Sequence, residues 1–294
     1  MARALIFGAG GQDAHYVAEE CRAHGVAPVQ VSRSAGDERG DVADLSRVED
    51  LVRRHRPGWI FHLAAASTTR HQALFENHAA IATGTLNTLE AARRHQPEAR
   101  VFLTGSGLQF ENRGAPISER DTFAAGSPYA AARIASVYAG RYFRSLGQKV
   151  YVGYLFHHES PLRGAGHVSM LVAQAARRIA AGSTERLAIG DLAVEKEWTF
   201  AGDVARAIWT LVSQDRVFEA AIGSGVAHPI QDWVERCFAA VGRDWRDHVD
   251  VNPGFVAEYP RLVSDPATIR SLGWEPRVGL DELTRMVMMA NPKA

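Results

Sequence analysis

Three side chains in the middle of the chain have the chemistry to move a proton to or from an oxygen atom. Ser106 lies between two glycines directly after an apolar segment, and Tyr129 and Arg133 open a predicted helix. Residues four apart share one face of a helix, so the phenol and the guanidinium would project together. A cation beside a tyrosine favours the phenolate, which lets a phenol act as an acid or a base near neutral pH. The alternative is a turn serine and a surface contact between the other two residues.

A second group of residues, near the N-terminus, is typical of a phosphate-binding turn. The apolar segment 4–7 is followed by Gly8 and Gly11 and then by a predicted helix that ends near His24. Such a unit directs backbone N–H groups and the positive end of a helix toward a phosphate. Glycine is needed where a Cβ would clash with a diphosphate or with a strand. The motif departs from G-x-G-x-x-G, with Ala14 as its third member, and a tight turn without a ligand is the alternative.

The residues after the second predicted strand, 28–32, indicate which dinucleotide such a turn would bind. An NAD site usually has an acidic residue here, which accepts a hydrogen bond from the ribose 2′-hydroxyl. This chain has Ser32, Arg33 and Ser34 instead. A guanidinium with two hydroxyl groups suits a 2′-phosphate, so the sequence favours NADP over NAD. The alternative is that Arg33 belongs to a solvated loop.

Strands and helices alternate along the first two thirds of the chain. The apolar segments 59–63, 100–104 and 149–156 are predicted strands, and helices are predicted over 45–55 and 80–95. This alternation predicts an α/β fold with a Rossmann-type, doubly wound parallel sheet and right-handed crossovers.

We predict two regions with different roles. Residues 1–160 form an NADP-binding Rossmann domain, to which residues 198–225 return. Residues 161–197 and 226–294 form a smaller, mixed α/β substrate-binding region. Ligands of such sheets bind at the carboxyl ends of the strands, and small residues such as Ala64 leave room there.

The composition argues against several classes of protein. Lys and Arg together number 33, as do Asp and Glu, so net charge gives no general attraction to nucleic acid or to a membrane. No apolar segment approaches the ~20 residues that span a bilayer, and the N-terminus has no signal-peptide pattern. Cys21 and Cys237 have no metal-type spacing, and we expect free thiols in a reducing cytoplasm. His157, His158 and Glu159 are adjacent, so their side chains point apart and no metal site is predicted.

Longer motifs resemble the extended short-chain dehydrogenase/reductases over nearly the whole chain. Segment 11–13 resembles the glycine-loop motif of the GDP-mannose 4,6-dehydratases, and segment 155–164 resembles the sequence after their fifth strand. There the family usually has Asn in place of His157 and Arg in place of Leu162. The resemblance includes the related GDP-4-keto-6-deoxymannose reductases and implies an NADP-dependent enzyme acting on a nucleotide-linked, most often GDP-linked, hexose. Two further matching segments are 197–198 and 272–277.

The resemblance implies roles for individual positions. Tyr129 and Ser106 match the family's catalytic tyrosine and serine or threonine, and Arg133 stands at the position of its lysine. In the family the tyrosine moves a proton at a sugar hydroxyl or carbonyl while the nicotinamide moves a hydride. The positions expected to contact the cofactor are Gly8, Gly11, Gln12, Asp13, Ser32, Arg33, Ser34, Asp41, Val42, Leu63, Ala64, Ala65, Tyr129, Arg133, Phe156 and His158. The positions expected to contact the substrate are Ser67, Ser106, His157, Glu159, Arg163, Lys196 and Arg261.

Two departures from the family pattern bear on the reaction. Arg133 replaces the lysine of Tyr-x-x-x-Lys, and arginine keeps the positive charge but does not readily give up a proton. Leu108 stands where the dehydratases have the glutamate that removes the C5 proton. Loss of a general base lowers a rate by a factor on the order of 10²–10⁴. The sequence therefore favours a 4-ketosugar reductase, which needs no such base.

Other functions remain open. A GDP-mannose 4,6-dehydratase would need another acid, such as Glu159, in place of the missing glutamate, and an epimerase has less support. A protein that binds NADP but catalyses little would also fit the presence of Arg133.

We also expect a homodimer or a homotetramer. Family members often pair through the helix that carries Tyr129, and Ile134, Val137 and Tyr138 lie on the other faces of this helix. The same residues could instead form a packing face within one chain.

Overall fold

Alternating strands and helices make up the computed structural model, which describes residues 2–290. The strands are β1 (Arg3–Phe7), β2 (Ala27–Ser32), β3 (Glu38–Arg39), β4 (Trp59–His62), β5 (Arg100–Ser106), β6 (Lys149–Leu155), β7 (His158–Glu159), β8 (Leu187–Ile189), β9 (Glu195–Glu197), β10 (Thr199–Phe200), β11 (Glu219–Ile222), β12 (Ala227–Pro229), β13 (Val249–Val251) and β14 (Arg261–Leu262). The helices are α1 (Gln12–Ala23), α2 (Leu45–His55), α3 (Leu74–Asn77), α4 (Gly84–His95), α5 (Pro128–Ser145), α6 (Val168–Ala180), α7 (Ala201–Val212), α8 (Ile230–Ala239), α9 (Ala267–Ser271) and α10 (Leu280–Met289). A π-helix spans His78–Thr83, and short 3₁₀ helices span His71–Ala73, Gly107–Gln109 and Trp245–Asp247.

A seven-stranded parallel sheet lies at the centre, in the order β3-β2-β1-β4-β5-β6-β11. The chain builds the sheet outward from β1 in one direction through β2 and then in the other through β4. At such a switch point the connections leave in opposite directions, and a crevice opens at the carboxyl ends of the strands. The predicted α/β class and doubly wound parallel sheet are confirmed.

Helices cover both faces of this sheet. Leu5 and Phe7 of β1 pack in the layer of α2, α4 and α5, whereas Ala4 and Ile6 pack in the layer of α1 and α7. Successive side chains of a strand point to opposite faces, so both faces of β1 are buried. This explains why the first strand is apolar without alternation.

The C-terminal part has a hydrophobic cluster of its own, built from α6, α8, α10 and the short strands between them. Trp198 and Trp233 stack at its centre with ring centroids 4.7 Å apart. The Trp233 indole N–H donates to the Ser169 carbonyl at 3.1 Å, which satisfies its buried polar atom. The two regions outlined from the sequence, with their boundaries, stay a prediction.

Helix boundaries follow local signals closely, and the larger differences come from tertiary contacts. Helix α5 begins after Ser127, whose hydroxyl accepts from the Ala130 N–H at 3.1 Å. The predicted helix 80–95 instead begins as a π-helix, in which the Ile81 carbonyl accepts a hydrogen bond from His62 Nε2 at 3.4 Å. Strand β3 at the sheet edge has no counterpart among the predicted strands, because two residues carry too little pattern to reveal one.

Some features are absent from the part of the chain that the structure describes. Within residues 2–290 no helix is long and apolar enough to cross a lipid bilayer. In the same range no cluster of three or more His, Cys, Asp and Glu side chains is arranged to hold a metal ion. Cys21 and Cys237 are both free and buried.

Candidate active site

Two adjoining cavities open at the carboxyl ends of the central strands. The first has a volume of about 350 Å³, and its wall includes Ser106, Tyr129 and Arg133. The second has a volume of about 360 Å³ and is lined by the glycine turn and the loop after β2. Because the cavities share part of their walls, a long ligand can extend from one into the other. The residues on both walls are Asp13, Leu63, Ser67 and Arg163.

The glycine turn leaves the backbone of helix α1 open to the second cavity. Gly8 has φ +107°, and a Cβ on it would lie 2.9 Å from the Ala64 backbone nitrogen, so this position requires glycine. Gly11 precedes α1, and no side chain of the described residues caps that end. The first N–H groups of α1 are therefore available to an anion such as a diphosphate.

The far end of the second cavity is formed by Ser32, Arg33 and Ser34. Ser32 is held within the loop, where its hydroxyl accepts from the Ala35 N–H at 2.8 Å. Arg33 is exposed and its Nη2 lies 3.4 Å from Glu76 Oε1.

Asp41, expected to contact the cofactor, is not part of either cavity wall. Its Oδ1 accepts from the Ala43 N–H at 2.9 Å in a local turn. The neighbouring residues Gly40 and Val42 line the second cavity instead. The expected contact of Asp41 with the cofactor stays a prediction.

Ser106 and Tyr129 are presented to the first cavity by the end of a strand and the start of a helix. Ser106 is the last residue of β5, and its Oγ accepts from the Leu108 N–H at 3.2 Å. The hydroxyl hydrogen of Ser106 then remains able to donate to a ligand oxygen. Tyr129 is the second residue of α5, so the start of this helix fixes its position.

Arg133 is a buried cation, only 3% exposed, and it lines the first cavity. Its Nη1 donates to the Thr104 carbonyl at 2.6 Å, and its guanidinium carbon lies 5.0 Å from the Tyr129 ring centroid. No carboxylate of residues 2–290 forms an ion pair with it, and its buried Nε has no partner in the same range. An uncompensated buried charge is costly, so this guanidinium fits a ligand that brings hydroxyl or anionic oxygens to the site.

Asp13 joins the glycine turn to the segment that follows β6. Its Oδ1 lies 2.9 Å from His158 Nε2, while His158 Nδ1 lies 2.7 Å from the Phe156 carbonyl oxygen. Both partners are acceptors, so both ring nitrogens must donate and the imidazole is protonated. Burial opposes this charge, but Asp13 outweighs it and raises the pKa of His158. Burial likewise opposes the charge of Asp13, whose pKa is nevertheless lowered by His158 and then by Arg163.

Glu159, expected to contact the substrate, is completely buried and is absent from both cavity walls. Its Oε2 accepts from Ser169 Oγ at 2.6 Å, and its Oε1 lies 2.9 Å from His157 Nε2. Burial would raise the pKa of Glu159, but His157, then Arg163 and Ser169 lower it to about 2. Burial and then the Lys196 ammonium lower the pKa of His157 to about 4, although each of its ring nitrogens faces an acceptor, Glu159 Oε1 and the Glu197 carbonyl oxygen. Arg163 Nε also faces the carboxylate, 3.6 Å from Glu159 Oε2. The correction is that Glu159 orients His157 and Arg163, which do line the first cavity.

The chain matches one protein family along almost its whole length. The family described as GDP-mannose 4,6 dehydratase matches residues 5–287. The chain belongs to this family. The predicted membership among the extended short-chain dehydrogenase/reductases and the predicted enzyme class are therefore confirmed.

Individual relatives agree with this assignment. GDP-mannose 4,6 dehydratase 1 of Arabidopsis thaliana is 30% identical over 259 residues, which cover 85% of this chain and 72% of that protein. GDP-mannose 4,6-dehydratase of Sinorhizobium fredii (strain HH103) is 31% identical over 274 residues, which cover 81% and 76%. The Homo sapiens enzyme is 26% identical over 337 residues, which cover 98% and 91%.

Solved structures share the fold at lower identity. dTDP-glucose 4,6-dehydratase from Bacillus anthracis, in complex with NAD, superposes with a TM-score of 0.86 at 15% identity, covering 98% of this chain and 96% of that one. UDP-glucose 4-epimerase from Thermus thermophilus, also in complex with NAD, gives a TM-score of 0.83 at 22% identity and covers 97% of each chain. These matches show the architecture of the GDP-mannose 4,6-dehydratase family member described here.

Two basic residues expected to contact the substrate lie outside the cavity walls in this GDP-mannose 4,6-dehydratase family member. Lys196 is buried, with its ammonium 5.6 Å from the Trp198 ring centroid. Arg261 Nε lies 3.0 Å from Glu195 Oε2, and its Nη1 donates to the Gly114 carbonyl. Its neighbour Leu262 faces the first cavity. The expected contacts of Lys196 and Arg261 with the substrate stay predictions.

The remaining expected residues fall on the walls of the two cavities, and several unexpected residues join them. Phe156, His157 and His158 line the first cavity, and Gln12, Ala64 and Ala65 line the second. Leu108, which the resemblance aligns with the glutamate of the dehydratases, faces the first cavity. In the loop between β4 and α3 the sequence singles out small residues and Ser67, and no signal marks the approach to β14. Wall residues missed from the sequence include Thr68, Thr69, Arg70, Glu76 and Tyr259.

Proposed function

We propose that the chain is an NADP-dependent reductase of a 4-keto sugar linked to a nucleotide, with GDP as the nucleotide. One observation carries the choice of reaction. Leu108, not a carboxylate, faces the first cavity two residues from Ser106. Reduction of a ketone needs a hydride and a proton, whereas dehydration also needs a base at C5. Family membership supports the GDP-linked hexose.

The two cavities support a dinucleotide as the cofactor. The N–H groups of helix α1 would hold the diphosphate, and Arg33 and Ser34 would hold the 2′-phosphate. Arg133, which has no acidic partner in the described chain, would meet the hydroxyl groups of the nicotinamide ribose. When bound, the reduced nicotinamide supplies the hydride.

The side chains of the first cavity would complete the reaction at C4. Reduction of the C4 carbonyl would place negative charge on its oxygen, which this chain's side chains must stabilise and protonate. The Tyr129 phenol gives its proton to that oxygen, and Ser106 donates a hydrogen bond to it. The products are a secondary alcohol, the oxidised cofactor and a phenolate that recovers its proton from solvent. Arg133 would position the tyrosine ring, with its guanidinium carbon 5.0 Å from the ring centroid, without itself transferring a proton.

The structure gives less support to dehydration. Glu159 is the candidate substitute base, but its carboxylate is buried against Ser169 and His157. A base must reach the proton that it removes, and this carboxylate is absent from the cavity walls. A reductase accounts for Ser106 and Tyr129 without a further acid.

The experiment is a turnover assay with the full chain and NADPH. Oxidation of NADPH should depend on a GDP-4-keto-6-deoxy sugar, and GDP-mannose alone should yield no 4-keto product. No oxidation across a panel of nucleotide 4-ketosugars, with NADPH binding confirmed separately, would reject the reductase. In that case, activity that appears only in Arg133→Lys would identify a cofactor-binding protein that has lost catalysis, whereas a 4-keto product from GDP-mannose would identify a dehydratase.

We further propose that residues 161–197 and 226–294 bind the nucleotide sugar and that two copies pair through α4 and α5. Apolar side chains on these helices are exposed: Leu86, Tyr138 and Tyr142. Of the residues predicted to face a partner, Val137 is buried and packs within the chain instead. Tyr142→Glu should shift the sedimentation of the protein from dimer to monomer, while an unchanged profile would place the interface elsewhere.

We also propose a cytoplasmic location. The support is that both cysteines are free and buried, which fits a compartment that keeps thiols reduced. Fractionation of cells that express the full chain would test this location.

A further inference from the structure

Glu76 is an acidic residue at the end of the second cavity that the sequence did not single out. It lies on the short helix α3, and its carboxylate belongs to the same cavity wall as Arg33. Glu76 Oε1 is 3.4 Å from Arg33 Nη2. The loop after β2 contains Asp37, but its Oδ2 accepts from the Gln30 N–H at 2.9 Å and it is not on the cavity wall, so α3 supplies the carboxylate beside Arg33.

Stability alone does not explain this ion pair. The side chain of Arg33 is 69% exposed and that of Glu76 is 53% exposed. Exposed ion pairs contribute little to folding and rearrange easily. The main effect of the contact is therefore on which groups of a ligand can bind to Arg33 in the cavity.

Only two carboxylates of the described chain line the second cavity, Asp13 and Glu76. Asp13 lies at the glycine turn, where His158 neutralises it. Glu76 lies beside Arg33, the residue proposed to hold the 2′-phosphate. A carboxylate and a phosphate cannot both approach one guanidinium without mutual repulsion, whereas a carboxylate readily accepts a hydrogen bond from a hydroxyl group.

We propose that Glu76 sets the choice between the two dinucleotides. It competes with the 2′-phosphate of NADP for Arg33 and accepts a hydrogen bond from the 2′-hydroxyl of NAD. The site therefore binds both cofactors, with a preference for NADP that Glu76 keeps small. This inference rests on the proposed function in one respect, that the second cavity holds a nicotinamide dinucleotide with its 2′ position near Arg33.

The test is a binding measurement on the full chain without any sugar. Dissociation constants for NAD and NADP are measured by calorimetry for the wild type and for Glu76→Gln, which keeps size and removes charge. We expect NADP to bind about fivefold to tenfold more tightly to the variant and NAD to bind about twofold more weakly, as expected for removal of one nearby charge. The ratio of the two constants then changes by at least about tenfold.

A matched control separates this effect from a general change of surface charge. Glu185 also pairs with an arginine, with its Oε1 2.7 Å from Arg178 Nε, and it lines neither cavity. Glu185→Gln should leave both dissociation constants within about twofold of the wild type. Thermal unfolding of both variants verifies that the fold is intact.

The outcomes distinguish this inference from the proposed function. If NADP binds but Glu76→Gln leaves the ratio unchanged, the inference is overturned and the reductase assignment stands. If the ratio shifts as expected but no 4-ketosugar is reduced, the inference stands and the reductase assignment fails. If the wild type binds neither dinucleotide, both are overturned.

Discussion

His158 Nε2 lies 2.9 Å from Asp13 Oδ1, although the two residues are 145 positions apart. This contact links the glycine turn to the segment that follows β6. Gln12 strengthens it, because Ser160 Oγ donates to Gln12 Oε1 at 2.7 Å. The wall shared by the two cavities is thus held by contacts between the segments that follow β1 and β6.

This ion pair predicts a dependence of stability on pH. Asp13 raises the pKa of His158 above its ordinary 6.5, so the stabilisation is complete below that value and is lost as the pH rises through the raised pKa. The lowered pKa of Asp13 means that its contribution is present above the ordinary 3.8 and is lost only in more acidic solution. In urea unfolding, the free energy of unfolding should fall as the pH rises from 6 to 9.

His158→Gln should remove most of this slope, because glutamine does not titrate. His15→Gln is the matched control, since His15 is an exposed histidine that pairs with Glu19 on α1. Equal slopes for the wild type and His158→Gln would contradict the assignment.

Replacement of Arg133 should weaken dinucleotide binding without lowering the stability of the ligand-free protein. Because its buried guanidinium lacks an acidic partner in the described chain, Arg133→Met should leave the free energy of unfolding of the ligand-free protein unchanged or raise it by about 1 kcal/mol. The dissociation constant for the dinucleotide should rise by about tenfold or more, because a charged hydrogen bond to the ligand is lost.

Arg144 on the same helix provides the comparison for Arg133. Its Nη1 lies 2.9 Å from Glu219 Oε1, so Arg144→Met leaves a largely buried carboxylate with fewer partners and should destabilise the protein. A clear loss of stability in Arg133→Met as well would show that the charge of Arg133 stabilises the folded protein.

Tyr129→Phe should remove the proton donor and leave the cavity unchanged. We expect kcat/KM for the 4-ketosugar to fall by about 10²-fold or more, with the dissociation constant for NADPH within about threefold of the wild type. Tyr138→Phe is the control, because Tyr138 lies on the same helix and is 58% exposed. Equal activity of the two variants would show that Tyr129 takes no part in the reaction.

Gly8→Ala should destabilise the fold directly. The left-handed φ of +107° disfavours alanine, and the new Cβ would lie 2.9 Å from the Ala64 nitrogen. We expect the free energy of unfolding to fall by about 2–3 kcal/mol in chemical denaturation. Gly10→Ala is the control, since a Cβ there meets no atom within 4 Å. If the free energy of unfolding falls no more for Gly8→Ala than for Gly10→Ala, the backbone of the turn shifts enough to accommodate the new Cβ.

Features with a local cause could be predicted from the sequence. Helix α2 occupies Leu45–His55 as expected, because Asp44 caps its start and an apolar face recurs at helical spacing. The glycine turn and Ser127 before α5 also depend on neighbouring residues alone. The regular alternation of such elements then determines the parallel sheet.

Features that depend on distant contacts could not be predicted. From the sequence, Glu159 beside two histidines is expected to be an accessible acid. In the structure it is buried against Ser169 of α6. Glu76 carries no motif, and only the packing of α3 beside the loop after β2 brings it to Arg33. Burial and long-range pairing depend on contacts between residues far apart in the chain, and such contacts leave no local pattern in a single sequence.

Arg163 belongs to the walls of both cavities. A single guanidinium that faces two ligands makes their affinities interdependent, and thermodynamic linkage requires the effect to be equal in either direction. An anionic group that draws Arg163 toward one chamber withdraws positive potential from the other. On the proposed function, binding of the dinucleotide in the second cavity would therefore change the affinity of the first cavity for the nucleotide sugar.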